Sequence, residues 1–158
     1  MGIRQIRKVE DSVLREKARS VKEVDELVER LLEDMVETML DAGGIGLAAP
    51  QVGIPKQVIV ADGGERGTVC LVNPRVVESW GEGTDVEGCL SIPGVYGEVP
   101  RAYGIRVEAW NGQGEEVRLE AEEMLARVLQ HEIDHLNGVL FTDKVTRFID
   151  PEEMKREE

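Results

Sequence analysis

The chain has 158 residues, and its 19 Lys and Arg residues against 32 Asp and Glu residues give a formal net charge of −13. We predict one domain over residues 1–158, since this length buries a core without disulfides. The composition, with 41% hydrophobic residues, excludes a disordered chain, and no apolar run approaches the ~18 residues of a membrane span. The acidic excess argues against direct nucleic-acid binding. With two cysteines and no export signal, the chain is expected in the cytoplasm with free thiols.

The first strong pattern predicts an amphipathic helix over residues 20–41. Ser20 and Glu23 have the spacing of a capping box, in which each side chain bonds a free backbone N–H at the helix start. Apolar residues then recur every three or four positions and form one buried face. Gly43 and Gly44 end the helix, because glycine readily takes the left-handed conformation that follows a helix.

The middle of the chain is predicted to form strands. Residues 57–61, 68–73 and 75–80 are rich in β-branched and apolar residues between Gly, Pro and Asp breaks. Apolar and polar residues alternate over 105–110, and Asn111-Gly112 then indicates a hairpin. With one helix before and one after them, these strands predict an α+β domain.

A second helix is predicted over residues 121–136, ahead of the break at Asn137-Gly138. Its helical wheel puts Glu132 near the middle of the apolar face, with His131 and His135 towards one edge. These polar groups are costly on a buried face unless they are paired or bound to a metal. Three polar residues fall on the other side and are expected to face solvent: Arg127, Gln130 and Asp134.

The two histidines of the chain indicate a metal site, because their four-residue spacing puts both rings on one side of a helix. A catalytic metal commonly takes three protein ligands and a water. Cys89 is the better candidate for the third ligand, since a soft thiolate beside imidazoles suits Fe²⁺ or Zn²⁺ rather than Mg²⁺ or Ca²⁺. Cys70 lies in an apolar run and is expected to be a core residue.

Two other uses of the histidine pair stay open. A zinc peptidase of the His-Glu-x-x-His type would take a downstream acid as third ligand, with these candidates: Asp143, Asp150, Glu152 and Glu153. A structural metal site would need a fourth protein ligand, and the chain has no third histidine and no cysteine close to Cys89. The peptidase leaves Cys89 unexplained.

Three segments together resemble the motifs that mark the peptide deformylase family. They are, in the order of that family, Gly44-Ile45-Gly46-Leu47-Ala48-Ala49-Pro50-Gln51, Glu87-Gly88-Cys89-Leu90-Ser91 and Gln130-His131-Glu132-Ile133-Asp134-His135. The first lacks the Gly-Lys-Ser/Thr of a phosphate loop. Residues 11–15 and 137–141 extend the likeness over most of the chain.

The resemblance implies removal of the formyl group from the N-terminal formylmethionine of new polypeptides, a bacterial and organellar task. It implies an α+β fold with antiparallel and mixed strands around a central metal-binding helix. It also implies one divalent metal ion held by Cys89, His131 and His135. That ion is Fe²⁺ in most cells, with Zn²⁺, Ni²⁺ or Co²⁺ as substitutes.

The resemblance also implies roles for the residues around the metal. Glu132 would take a proton from the attacking water and later give it to the leaving amine. The side-chain amide of Gln51 and the backbone N–H of Leu90 would stabilise the oxyanion. Three further residues are expected to orient the metal ligands: Glu87, Gln130 and Asp134.

The methionine side chain of such a substrate needs an apolar pocket. The resemblance places this pocket at the glycine-rich segment and the inner face of the second helix, with these candidates: Gly44, Ile45, Gly46, Leu125 and Val128. Leu125 and Val128 fit a plain core role equally well. Arg101 is a candidate contact for the peptide backbone, although an exposed arginine after a strand fits the sequence as well.

A short acidic tail is expected from about residue 144, with acidic clusters at 150–153 and 157–158. Some longer members of the family carry a basic C-terminal helix thought to help docking on the ribosome. This tail has little room for such a helix and carries the opposite charge. We therefore expect nascent formylmethionyl chains as partners, with transient proximity to the ribosome and no membrane partner.

Overall fold

The computed structural model describes residues 2–153, which form two long helices and eight strands. In chain order these are α1 (Glu26–Asp41), β1 (Gly46–Ala48), β2 (Val58–Asp62), β3 (Thr68–Trp80), β4 (Gly83–Cys89), β5 (Ile92–Arg101), β6 (Gly104–Trp110), β7 (Glu116–Glu122), α2 (Glu123–Leu136) and β8 (Arg147–Ile149). Among the described residues, no helix is both long and apolar enough to cross a membrane.

The strands form two sheets. One has five strands in the order β1-β2-β3-β6-β7, and the other has three in the order β4-β5-β8. Every pair of neighbouring strands in these sheets is antiparallel. The α+β class expected from the sequence is confirmed. The sequence patterns indicated neither the three-stranded sheet nor the short strand β1.

The five-stranded sheet is covered by one long helix on each face. Val58 and Val60 of β2 pack in the same cluster as α1, whereas Ile59 and Ala61 pack in the cluster that contains α2. This division follows from the strand geometry, since successive side chains point to opposite faces of a sheet. A third apolar cluster, which includes Val99 of β5, lies beside the three-stranded sheet.

Helix α1 begins later than predicted, and the capping box at Ser20 and Glu23 does not form. Asp25 is the N-cap, and its side chain accepts a hydrogen bond from the Val28 N–H at 3.0 Å. The residues just before it are not helical, and Val21, inside the predicted helix, instead bonds the Asn73 side chain through its backbone N–H and C=O. Arg19, just ahead of the predicted helix, forms an isolated parallel bridge with Lys56.

The other sequence-predicted boundaries hold with small shifts. Gly43 follows α1 with a φ of 70°. The strands predicted over 68–73 and 75–80 join as β3, which has an irregularity between Val72 and Arg75. β6 and β7 form the expected hairpin around Asn111. α2 starts two residues after the predicted position, because residue 121 is still paired within the sheet.

The tail predicted from residue 144 is partly structured. Lys144 forms an ion pair with Asp134 of α2 at 3.0 Å. β8 then adds the third strand beside β5. The acidic pair at 157–158 lies outside the described residues.

Asn73 connects β3 to the segment before α1 and provides a test of this architecture. Its side chain accepts from Val21 N–H and donates to Val21 C=O, both at 2.8 Å, and its own φ is 52°. Asn73→Ala removes both bonds and puts a residue ill suited to the left-handed region there. We expect it to lower the free energy of unfolding by about 2–3 kcal/mol, measured by urea denaturation of metal-free protein.

Asn73→Gly is the matched variant, because glycine also lacks the amide but accepts the positive φ. It should regain about 1 kcal/mol relative to the alanine variant. If Asn73→Ala is as stable as wild type, the two hydrogen bonds between Asn73 and Val21 have no structural role.

Candidate metal centre

Three metal-ligating side chains meet where α2 faces the end of β4. Cys89 is the last residue of β4, and His131 and His135 lie one turn apart on α2. One donor atom from each of the three lies within 4.8 Å of the others. Cys89 Sγ is 3.4 Å from His135 Nε2. This set of one cysteine sulfur and two imidazoles matches the ligand chemistry of Fe²⁺, Zn²⁺ and related divalent ions.

The local structure of each element explains why these three residues converge. A register shift between Glu87 and Cys89 interrupts the β4–β5 ladder just before the turn into β5. Such an irregularity re-aims side chains at the end of a strand. On α2, the four-residue spacing puts His131 and His135 on one side of the helix, where their rings meet edge to face with centroids 5.1 Å apart.

Glu87 holds His131 in place. Its Oε1 atom is 2.9 Å from His131 Nδ1, and both side chains are buried. Because an ionised carboxylate only accepts hydrogen bonds, Nδ1 carries a proton and Nε2 is the ring nitrogen left for a metal. Burial lowers the pKa of His131, but Glu132, Cys89 and Glu87 outweigh this effect and raise the pKa to about 10, so a cation would have to displace a proton from Nε2. Burial would raise the pKa of Glu87, but the hydrogen bonds from His131 and Arg101 lower this pKa to about 2.

His135 and Glu132 carry the unsatisfied polar atoms of the site. Burial lowers the pKa of His135 well below its usual value, so its imidazole is neutral and suited to metal binding. Burial raises the pKa of Glu132 to about 7, although the charges of His131 and Arg101 oppose this change. Among the described residues, Glu132 Oε1 and His135 Nδ1 are buried side-chain atoms without a hydrogen-bond partner. An unpartnered carboxylate oxygen here suits a group that binds water or substrate.

Gln51 lies beside the Cys89 sulfur, and its neighbours fix the orientation of its amide. Its Oε1 atom accepts from the Ala48 N–H at 2.9 Å, and its Nε2 atom donates to Ser91 Oγ at 3.1 Å. The same Nε2 atom is 3.5 Å from Cys89 Sγ. The amide therefore presents its donor side to the candidate metal group. Ser91 belongs to the Cys89 motif, but sequence reasoning gave it no role.

A cavity of about 510 Å³ opens onto these groups. The candidate residues that line it are Gly44, Ile45, Gly46, Gln51, Leu90 and Val128, together with Cys89, His131 and Glu132. Leu125 lies outside this lining. It packs against the apolar cluster that contains α2, as expected for the alternative in which it is a core residue. A larger hollow of about 790 Å³ against β3, β6 and β7 contains none of the candidate ligands.

Arg101 is buried, so the expectation of an exposed arginine after a strand is wrong. Its guanidinium donates to Glu87 through Nε at 2.6 Å and Nη2 at 2.9 Å, and to Asp134 at 2.8 Å. Only 5% of the residue is accessible to solvent. Arg101 therefore connects β5 to α2 and is absent from the cavity lining, so its contacts do not support direct contact with a peptide.

The expectation that Arg127, Gln130 and Asp134 face solvent is wrong. Arg127 donates to Glu87 Oε2 at 2.7 Å, and Asp134 accepts from Arg101. The Gln130 amide bonds the N–H and C=O of Ala102 rather than a candidate metal ligand. The physical reason is that the β4–β5 hairpin, and Ala102 just after it, supply bonding partners on this side of α2. Arg127 was detectable in principle, since it lies one turn before His131 on the same side of the helix.

Replacing Arg101 tests how much the buried ion pair between Glu87 and Arg101 stabilises the fold. Arg101→Met leaves the Glu87 carboxylate buried with fewer donors, and we expect it to lower the free energy of unfolding by about 3 kcal/mol. Arg75→Met is the matched control, because the Arg75 side chain is 73% exposed beside Glu108. This control should change stability little in the same urea denaturation. Equal stability of the two variants would contradict the importance of the buried pair.

Comparison with known proteins places this geometry in a family. A family model described as polypeptide deformylase matches residues 3–150. The peptide deformylase of Acetivibrio thermocellus is 54% identical over 156 residues, which cover 99% of this chain and 91% of the relative.

Solved structures agree with the sequence relatives. The crystal structure of peptide deformylase from Thermotoga maritima superimposes with a TM-score of 0.89 at 43% identity, covering 92% of this chain and 99% of that one. The enzyme from Thermus thermophilus gives a TM-score of 0.88 at 45% identity, covering 98% of this chain and 89% of that one. From the sequence match, the shared fold and the cysteine–histidine cluster together, the chain belongs to the polypeptide deformylase family.

Proposed function

We propose that this protein hydrolyses the formyl group from the N-terminal formylmethionine of newly made polypeptides and releases formate. The observation that carries this proposal is that Cys89 and His131 line one cavity with the buried Glu132, in a chain of this family. A donor atom of His135 lies within 4.8 Å of those of Cys89 and His131. The substrates are nascent formylmethionyl peptides, and the site of action is the bacterial cytoplasm, where such chains are made.

Cys89, His131 and His135 would hold one divalent cation, and Fe²⁺ is the ion we propose, with Zn²⁺, Ni²⁺ or Co²⁺ as substitutes. The neutral His135, the oriented His131 and the nearby thiol support this ligand set. A bound cation of this kind supplies Lewis acidity, which polarises a carbonyl and lowers the pKa of water. The chain itself must then orient the substrate and move protons.

Glu132 is proposed as the proton carrier. Its free Oε1 atom and its pKa of about 7 suit a carboxylate that takes a proton from water and later releases it to the amine. The balanced reaction adds one water across the formyl C–N bond and yields formate and a free α-amino group. Gln51 Nε2 and the Leu90 N–H are proposed to stabilise the negative charge on the formyl oxygen.

The apolar part of the cavity is proposed to hold the methionine side chain. Gly44, Ile45, Gly46 and Val128 line this part, and their lack of bulky polar groups supports the assignment. A Cβ on Gly46 would lie 2.6 Å from Glu132 Oε2, so glycine allows close approach of the carboxylate. β1, which begins at Gly46 and lies at one edge of the five-stranded sheet, offers that edge to an extended peptide.

Formate release from formyl-Met-Ala, with protein purified anaerobically and loaded with iron or nickel, tests the activity directly. We expect formate to appear in step with free Met-Ala. The rival zinc peptidase would instead cleave the Met–Ala bond, including that of an unformylated peptide. Metal-loaded protein that releases no formate would overturn the proposed function.

The proton-carrying role of Glu132 predicts a selective loss of turnover. Glu132→Gln keeps the side-chain shape but cannot accept a proton, so kcat should fall by about 10²–10⁴-fold while metal content stays at the wild-type level. Glu116→Gln, at an exposed position on β7, is the control and should retain full activity. Near-normal turnover of Glu132→Gln would remove this role.

The ligand assignment predicts a different phenotype for the two cysteines. Cys89→Ala should lose bound metal on gel filtration, because two histidines alone leave an incomplete site. Cys70 lies in β3 and packs against the apolar cluster of α1, so Cys70→Ala should keep its metal. Metal content by elemental analysis decides between them, and full occupancy in Cys89→Ala would contradict the assignment.

A further inference from the structure

We propose that Arg127 is a positioning residue that holds the β4–β5 hairpin against α2 and thereby sets the affinity of the cysteine–histidine cluster for a divalent cation. The inference rests on the metal ligands proposed above. It concerns a residue that the sequence pattern assigned to solvent.

The guanidinium of Arg127 joins α2 to both strands of the hairpin. Its Nη1 atom donates to Glu87 Oε2 at 2.7 Å and to the Val99 C=O at 2.8 Å. Its Nη2 atom donates to the Gly83 C=O at 2.9 Å. Its side chain is 12% exposed, so water competes little for these bonds.

These bonds are placed at the two ends of the hairpin. Gly83 begins β4 at the open end of the hairpin, opposite Arg101 of β5. Glu87 lies near the closed end, two residues before the ligand Cys89. One side chain on α2 therefore fixes the hairpin at both places, which defines its tilt as well as its distance from the helix.

The metal ligands need such a connection because they come from two different parts of the fold. His131 and His135 belong to α2, whose most extensive strand contacts are with β1, β2, β6 and β7 of the five-stranded sheet. Cys89 belongs to the three-stranded sheet. A displacement of about 0.5 Å between the two parts is enough to impair a metal site. The relative position of the ligands thus depends on the side chains that cross between the two parts.

Arg127 and Arg101 cross this boundary in opposite directions. Arg101 starts on β5 and reaches Asp134 on α2, whereas Arg127 starts on α2 and reaches the hairpin. Both donate to Glu87, which in turn orients His131. Of Arg101, Arg127 and Glu87, it is Arg127 that also bonds backbone carbonyls of the hairpin. These bonds require a planar guanidinium, which carries several donors.

Metal affinity of the metal-free protein measures this role without reference to turnover. We would compare wild type, Arg127→Met and Arg127→Lys by Co²⁺ titration in competition with a chromophoric chelator, and record the visible spectrum of the Co²⁺ complex. Arg127→Met should weaken Co²⁺ binding by about 10–100-fold and alter the spectrum. Arg127→Lys, which restores the charge but not the planar fork, should give an intermediate affinity.

Arg118→Met is the matched control, because Arg118 lies on β7 with a 66% exposed side chain paired to Glu108. Its Co²⁺ affinity should stay within about twofold of wild type. If Arg127→Met does not fold, the Arg127→Lys variant and its Co²⁺ spectrum carry the test alone.

Three results would contradict the inference in different ways. A folded Arg127→Met or Arg127→Lys with wild-type affinity and spectrum would overturn it. Arg127 also lines the cavity, so a change confined to KM for formyl-Met-Ala would make it a wall of the peptide site instead. Failure of the wild-type protein to bind Co²⁺ would overturn the proposed metal site itself, which separates the two proposals.

Discussion

The buried carboxylate of Glu87 is the interaction on which the site depends. It accepts hydrogen bonds from His131, Arg101 and Arg127, which start on two different elements. A charge in the protein interior is costly unless it is paired and its lone pairs are satisfied. Here the two arginines meet that requirement, and the remaining bond orients the imidazole of His131. One buried acid thus couples the stability of the fold to the geometry of the metal ligands.

The candidate metal centre lies between two sheets that have separate apolar clusters. α2 contributes two ligands and the β4–β5 hairpin contributes the third, so neither part holds a complete site. Binding of a cation would therefore also stabilise the joining of the two parts, as expected where a metal site forms only in the folded chain. The separate apolar clusters do not fix the position of the β4–β5 hairpin relative to α2. The polar side chains between the two parts do.

The cavity combines close backbone approach with a carboxylate of raised pKa. At Gly46 a Cβ would meet both Glu132 Oε2 and Val128, and at Gly44 it would meet the Leu90 side chain at 2.7 Å. The absence of side chains at these glycines lets the first motif lie directly against α2 and the Cys89 turn. Glu132 is buried by this packing, and its burial is what makes it able to hold a proton near neutral pH.

Four features could be predicted from the amino-acid sequence: the α+β class, the two helices, the β6–β7 hairpin and the likeness to the deformylase motifs. These follow from local periodicity, turn residues and short spacings, which depend on neighbours along the chain. The sequence also brought Cys89, His131 and His135 forward as candidate ligands. Long-range packing was needed to show that Arg101 is buried and that Leu125 packs against the core. It also leaves Arg127, Gln130 and Asp134 half-buried and bonded to other parts of the fold.

The physical reason for this division is the three-stranded sheet. Its strands β4 and β5 are rich in Gly, Pro and charged residues, so their sequence lacks the alternation that indicates a strand. A helical wheel drawn from the sequence takes no account of that sheet, so it assigns one side of α2 to solvent. With the sheet, the same side meets Glu87 and the carbonyls of a hairpin, and polar residues that pattern alone assigns to solvent become the connections that hold the site together.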